Sequence, residues 1–206
     1  MKLGDRLWKL AVPFYQAKND VSPMLGEGRF VVLDVDVTGV NIRKDTATGI
    51  AMLGVEGGRF RMSNIDWAPL EQAEGNSNGS SWQDQYRRIV DLVATDTVVT
   101  YNPRFVRRMI KRVTGRYGLP VPYGNWVDLA AILDGAIGRE MAEDASLYGW
   151  QQRLNVKIIE GYSAIADVFT MAQLLEIAIG YCEDLGITTL DQLMTQHKSR
   201  LWMRGE

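Results

Sequence analysis

The sequence contains a single cysteine, Cys182, which excludes an internal disulfide and points to a reducing compartment, the cytosol. Histidine is as scarce: His197 is the only one, and its place in the C-terminal segment reads as a surface position. There is no excess of basic residues. The net charge is −2 and the pI about 5.6, so no global positive field draws nucleic acid, and any such contact has to use local patches. No apolar run approaches the roughly 20 residues of a bilayer span, so no membrane partner is expected. Residues 1–12 are interrupted by Lys2, Asp5, Arg6 and Lys9 and lack the unbroken apolar core of a signal peptide. Internal repeats are missing, and the only low-complexity tract is the polar loop at 74–81.

What is present suits one well-packed domain: 206 residues, 46% of them apolar. Residues 3–16 read as an amphipathic helix or arm. Phe30 to Val35 is a β-branched buried strand; Thr48 to Gly54 and Arg59 to Ile65 form a hairpin around Glu56-Gly57-Gly58. Trp82 to Ala94 has a helical stripe of Tyr86, Ile89, Val90 and Val93. Asp96 to Tyr101 reads as a strand, and Pro103 to Tyr117 as a helix ended by Gly118 and Pro120. Trp126 to Ile137, Leu147 to Leu154 and Ala164 to Leu185 read as helices. Strands first and helices after suggest an α/β fold, a mixed sheet flanked by helices.

The most telling stretch starts at Arg29. The apolar run Phe30 to Leu33 delivers Asp34 and Asp36 at the end of a strand, followed by Thr38-Gly39. Side chains two apart on a strand share a face. Two carboxylates placed so suit a hard divalent cation with oxygen ligands. The alternative is an exposed strand end with two solvated acids.

Three segments in order resemble the DEDD 3′–5′ exonuclease family, the ribonuclease H-like group that includes the proofreading epsilon subunit of bacterial DNA polymerase III and ribonuclease T. The family's first motif, D-x-E-T-T-G, is matched by Asp34-Val35-Asp36-Val37-Thr38-Gly39. The second, A-H-N-x-x-F-D, is matched by Thr100-Tyr101-Asn102-Pro103-Arg104-Phe105-Val106. The third, H-R-A-x-x-D-A, is matched by Tyr162-Ser163-Ala164-Ile165-Ala166-Asp167-Val168. The resemblance spans roughly residues 28 to 180. It implies a ribonuclease H-like fold with a mixed five-stranded sheet, an arm at 1–27, an exonuclease domain at 28–185 and a C-terminal tail at 186–206.

The resemblance implies that Asp34, Asp36 and Asp167 are metal ligands and, with Tyr162, stand at the catalytic positions. It also implies that the ion is Mg²⁺ or Mn²⁺. The departures set the expectation for activity. The second acid is Asp36 where the family has Glu, Val106 replaces the third acid, and Tyr162 stands where the family's histidine acts as general base. One ion, weakly held, or none is therefore expected. A tyrosine, with a pKa near 10, is a poor base at neutral pH, and loss of a general base costs on the order of 10²–10⁴-fold in rate. Restoring both groups, Val106→Asp with Tyr162→His, is expected to raise hydrolysis. Asp167 has a rival role, as the cap of the helix that begins beside it.

For nucleic acid, single-stranded DNA or RNA, the candidate contacts are Thr38, Gly39, Tyr101, Asn102, Arg104 and Arg108. Arg104, Arg108, Lys111 and Arg112 fall on one helical face, which suits phosphates or simply water. The tryptophans at 67, 82, 126 and 150 read as structural. The apolar residues of the terminal segments suggest packing on the domain or on a protein partner. The alternative to a weak exonuclease is a non-catalytic scaffold binding protein or single-stranded nucleic acid.

Overall fold

The computed structural model describes residues 22–70, 81–94, 96–122, 124–138, 145–157, 161 and 163–205. Residues 1–21 of the expected N-terminal arm, and Tyr162, lie outside them. Three long strands come first: β1 (Arg29–Val37), β2 (Ala47–Glu56) and β3 (Arg59–Pro69). They are followed by α1 (Trp82–Val93), β4 (Thr97–Thr100), α2 (Pro103–Thr114) with a 3₁₀ turn at Gly115–Tyr117, β5 (Asn125–Asp128), α3 (Leu129–Ala136), α4 (Leu147–Arg153), α5 (Ala164–Asp184) and α6 (Leu190–Met203).

The sheet order is β3-β2-β1-β4-β5. β1–β2 and β2–β3 are antiparallel, β1–β4 and β4–β5 parallel. This is the mixed five-stranded, ribonuclease H-like α/β arrangement. Alternation along β1 divides the interior in two. Val31, Leu33 and Val35 face the cluster built with α1 and α2. Phe30 and Val32 face the cluster built with α3, α4, α5 and α6. Asp34 and Asp36 continue the second set, which places both carboxylates on the α5 side.

Four expectations are corrected. Trp126 starts no helix; it is buried in β5, and the helix begins three residues later at Leu129, capped by Asp128. The segment after 186 carries a helix, α6, opened by a capping box of Thr189 and Gln192. Its residues Leu190, Leu193 and Met194 join the α5-side core, and burying each leucine stabilises by roughly 1.5–3 kcal/mol. His197 is 5% exposed, and its Nδ1 lies 2.6 Å from Asp134 Oδ2. Gly135 makes this docking possible, because a Cβ there would stand 2.8 Å from the Leu193 carbonyl oxygen. Finally, α5, at 21 residues, is long and apolar enough to cross a membrane by length and composition. It packs against β1, β2 and α3, and 56% of its apolar window is buried, as in a core helix.

Candidate active site

The candidate site lies where β1 runs out under the start of α5. Asp34 is half-buried, and its side chain is hydrogen-bonded to that of Asp167 in the first turn of α5. Burial is the main cause that raises the Asp34 pKa well above the ordinary carboxyl value, reinforced by the charge of Asp167 and then of Asp36. Burial also raises Asp167, with Asp36 adding to it, while the bond from Asp34 lowers it. A hydrogen bond between two carboxyls requires that one of them keep a proton, so the Asp34–Asp167 pair shares one. Two bare carboxylates in contact would repel in this environment; a shared proton removes the conflict.

Asp167 does not cap its helix. Ser163 does, accepting from Ala166 N at 3.3 Å. The free N–H of Ala164 is taken by Asp36, whose Oδ1 accepts it at 2.6 Å. The other Asp36 oxygen, Oδ2, accepts from Trp67 Nε1 at 3.1 Å. Trp67 therefore departs from its structural reading: Trp82, Trp126 and Trp150 are buried, but Trp67 is 43% exposed beside the acids. Its signal is absent from the local sequence, because the bond joins residues 31 apart.

The three acids thus converge on one sheet face, yet their oxygens are already engaged with one another and with N–H donors. Among the described residues no group of three or more His, Cys, Asp or Glu is arranged to hold a metal ion.

The second motif is built as a turn. Asn102 sits in the left-handed region at φ 57° and caps α2, accepting from Phe105 N at 3.3 Å. Its own N–H points at Asp128 Oδ1, 3.4 Å away. Asp128 is half-buried, and the loss of water around its carboxyl pushes its pKa up to about 6. Tyr101 is half-buried against the α5-side core, and its hydroxyl donates to the Ala145 carbonyl. Val106, at the third acid position, is 1% exposed and packs in the other core with Leu33, Met109 and Ile110.

The loop after β1 is closed on itself. Thr38 Oγ1 accepts from Thr46 N at 3.1 Å, and Asp45 Oδ2 accepts from Asn41 N at 2.7 Å. Gly39 is required here, because a Cβ would stand 2.6 Å from Asp45 Oδ2. Arg112 Nη1 donates to the Ile42 carbonyl at 2.7 Å and ties this loop to α2. The tie sets Arg43 and Lys44, both exposed, beside the helix that presents exposed Arg104, Arg108 and Lys111. Arg112 is half-buried in that tie, and Arg107 lies over the Trp126 ring at 5.5 Å, so the basic face of α2 is narrower than its helical spacing suggests.

Strand order and helix placement together define the fold: a ribonuclease H-like α/β domain that carries an acid pair at the end of β1. No family model matches the chain, and no curated protein does. Solved structures of exonuclease I do resemble it. One covers 81% of this chain with a TM-score of 0.59 at 13% identity. The E. coli enzyme in complex with a dT13 oligonucleotide covers 76% with a TM-score of 0.60 at 14% identity. The complex of exonuclease I with SSB-Ct covers 82% with a TM-score of 0.57 at 12% identity. The chain spans 42–43% of the length of these proteins, and the likeness is one of fold.

Proposed function

We propose that this protein is a DEDD-type 3′–5′ exonuclease homologue that binds single-stranded nucleic acid and hydrolyses it weakly or not at all. The observation that carries the reading is the convergence of Asp34, Asp36 and Asp167 on the α5 face of an exonuclease fold, with their oxygens engaged internally. Val106 adds to it, since an apolar core residue offers no oxygen to a second ion. In this reading the chain holds one Mg²⁺ or Mn²⁺ weakly, or none, and acts in the cytoplasm. Exonuclease I is known in complex with an oligonucleotide, which is in keeping with a nucleic-acid strand as ligand.

The strand would run along the cations of α2 and the adjoining loop. Alanine at Arg108 or Lys111 should weaken binding of an oligothymidine about equally for any sequence. Each change should also flatten the slope of log affinity against log salt by about 0.7, the single-strand value per phosphate contact. Fluorescence anisotropy across a salt series measures both. Unchanged affinity and slope in the double variant would show that the helix face is merely solvated.

A second reading, a scaffold for a protein partner, is favoured by one feature. Trp202 and Met203 at the end of α6 are 82% and 70% exposed, an apolar pair that a partner could cover.

A further inference from the structure

We infer that Asp36 is a structural tie among β1, β3 and α5, and that Trp67 is the latch that keeps this acid from serving a cation. The inference depends on the proposed reading only for naming Asp36 as the second acid of the signature.

The tie is specific in its parts. The first N–H groups of a helix have no partner within it. In α5 Ser163 takes Ala166 N, and Asp36 reaches across from β1 to take Ala164 N. A carboxylate at this end of a helix also meets the positive end of the helix dipole. From the other side comes the indole of Trp67 on β3. Asp36 pairs with Gly49 of β2 in the β1–β2 register, while Trp67 pairs with Ala51 in the β2–β3 register. The indole must therefore cross β2 to reach the acid, and it crosses over Gly49. A Cβ at Gly49 would stand 2.6 Å from Asp36 Oδ2 and 2.9 Å from Trp67 Nε1. The bridge thus exists only because that position has no side chain. Each Asp36 oxygen then has an N–H donor, which occupies a lone pair on each and fixes the direction in which the carboxylate faces.

Hydrogen bonds to ligating carboxylates also occur in working metal sites, where they orient the ligand. The two roles predict opposite results. Titration of the full chain with Mn²⁺ alone, followed by calorimetry and by the Mn²⁺ spin-resonance signal, separates them. Trp67→Phe keeps the ring and removes the donor. We expect it to tighten Mn²⁺ binding about tenfold, the equivalent of one charge-assisted hydrogen bond. A 10–100-fold weakening would mean that Trp67 orients a true ligand, and would overturn the inference. Equal affinity in both proteins, or no binding by either, would overturn the latch as well. Asp36→Ala tests the tie without metal. With EDTA present it should lower the thermal midpoint by about 4–8 °C; an unchanged midpoint would show Asp36 to be merely solvated. Trp67→Phe leaves the α2 cations untouched, so nucleic-acid binding stands or falls separately.

Discussion

Replacing Val106 by Asp should lower the thermal midpoint by roughly 10 °C and restore no nuclease activity. The motif comparison suggests the reverse, a vacant ligand position awaiting its carboxylate. The packing decides against it. Val106 is almost completely buried, on the sheet face opposite Asp34, Asp36 and Asp167, among Leu33, Met109, Ile110 and Val113. An unpaired carboxyl placed there loses its hydration and finds no partner, which costs on the order of 4 kcal/mol even after it takes up a proton. A domain of this size loses about 2–4 °C per kcal/mol. Tyr162→His, the other half of the expected rescue, cannot compensate for that loss. Scanning calorimetry of Val106→Asp, with Val106→Ala as the uncharged comparison, measures the effect. A wild-type midpoint with a gain in hydrolysis would show that the new carboxylate turns out of the core and reaches a cation.

Removing Asp134 should be as damaging, through a different mechanism. Asp134 is 1% exposed on α3. It accepts two bonds from Arg204, Nη1 to Oδ1 at 2.9 Å and Nη2 to Oδ2 at 2.8 Å, and lies against His197 Nδ1. Both partners belong to the C-terminal stretch, so one carboxylate fastens α6 to the domain. Asp134→Ala removes the carboxylate that both Arg204 and His197 reach. Breaking one side of a buried ion pair in this way costs about 3–5 kcal/mol. The midpoint should again fall by roughly 10 °C, and amide exchange should rise across α6 before it rises across α2. A change below about 1 kcal/mol would mean that the apolar contacts of Leu190 and Leu193 hold the helix unaided.

The parts of the fold that were legible from sequence are those whose signal is local. The β-branched run of β1 and the two-residue spacing of Asp34 and Asp36 are read directly, and the order of the three motifs foretells the arrangement that the sheet shows. Four strands are visible in the pattern of apolar residues. The fifth, β5, has four residues and passes at once into α3, so that Trp126, Val127 and Leu129 continue one apolar run and mimic a single helix. The helix α6 did carry signals, Thr189 followed three residues later by Gln192, and Leu190, Leu193, Met194 and His197 at helical spacing. A polar composition hid them.

What could not be read is what distance in sequence conceals. The Trp67–Asp36 bond depends on the register of two strand pairs, both irregular: β1–β2 shifts between Asp36 and Val37, and β2–β3 between Leu53 and Val55. The Arg112–Ile42 tie joins residues 70 apart, and the Asp134–His197 pair residues 63 apart. Each adds to the meaning of a residue without changing its identity: Asp36 is bonded to two other elements, Arg112 anchors a loop, and the expected surface histidine is buried.

The central claim is that the exonuclease fold is kept for binding while its hydrolysis is weak or lost. A single-stranded oligonucleotide labelled at its 5′ end, incubated with excess protein and Mn²⁺, tests this most directly when binding and product length are read from the same samples. The account predicts salt-sensitive binding and, at most, slow shortening from the 3′ end. A ladder of shortened products formed as fast as by an efficient exonuclease, and abolished by Asp34→Asn, would contradict it.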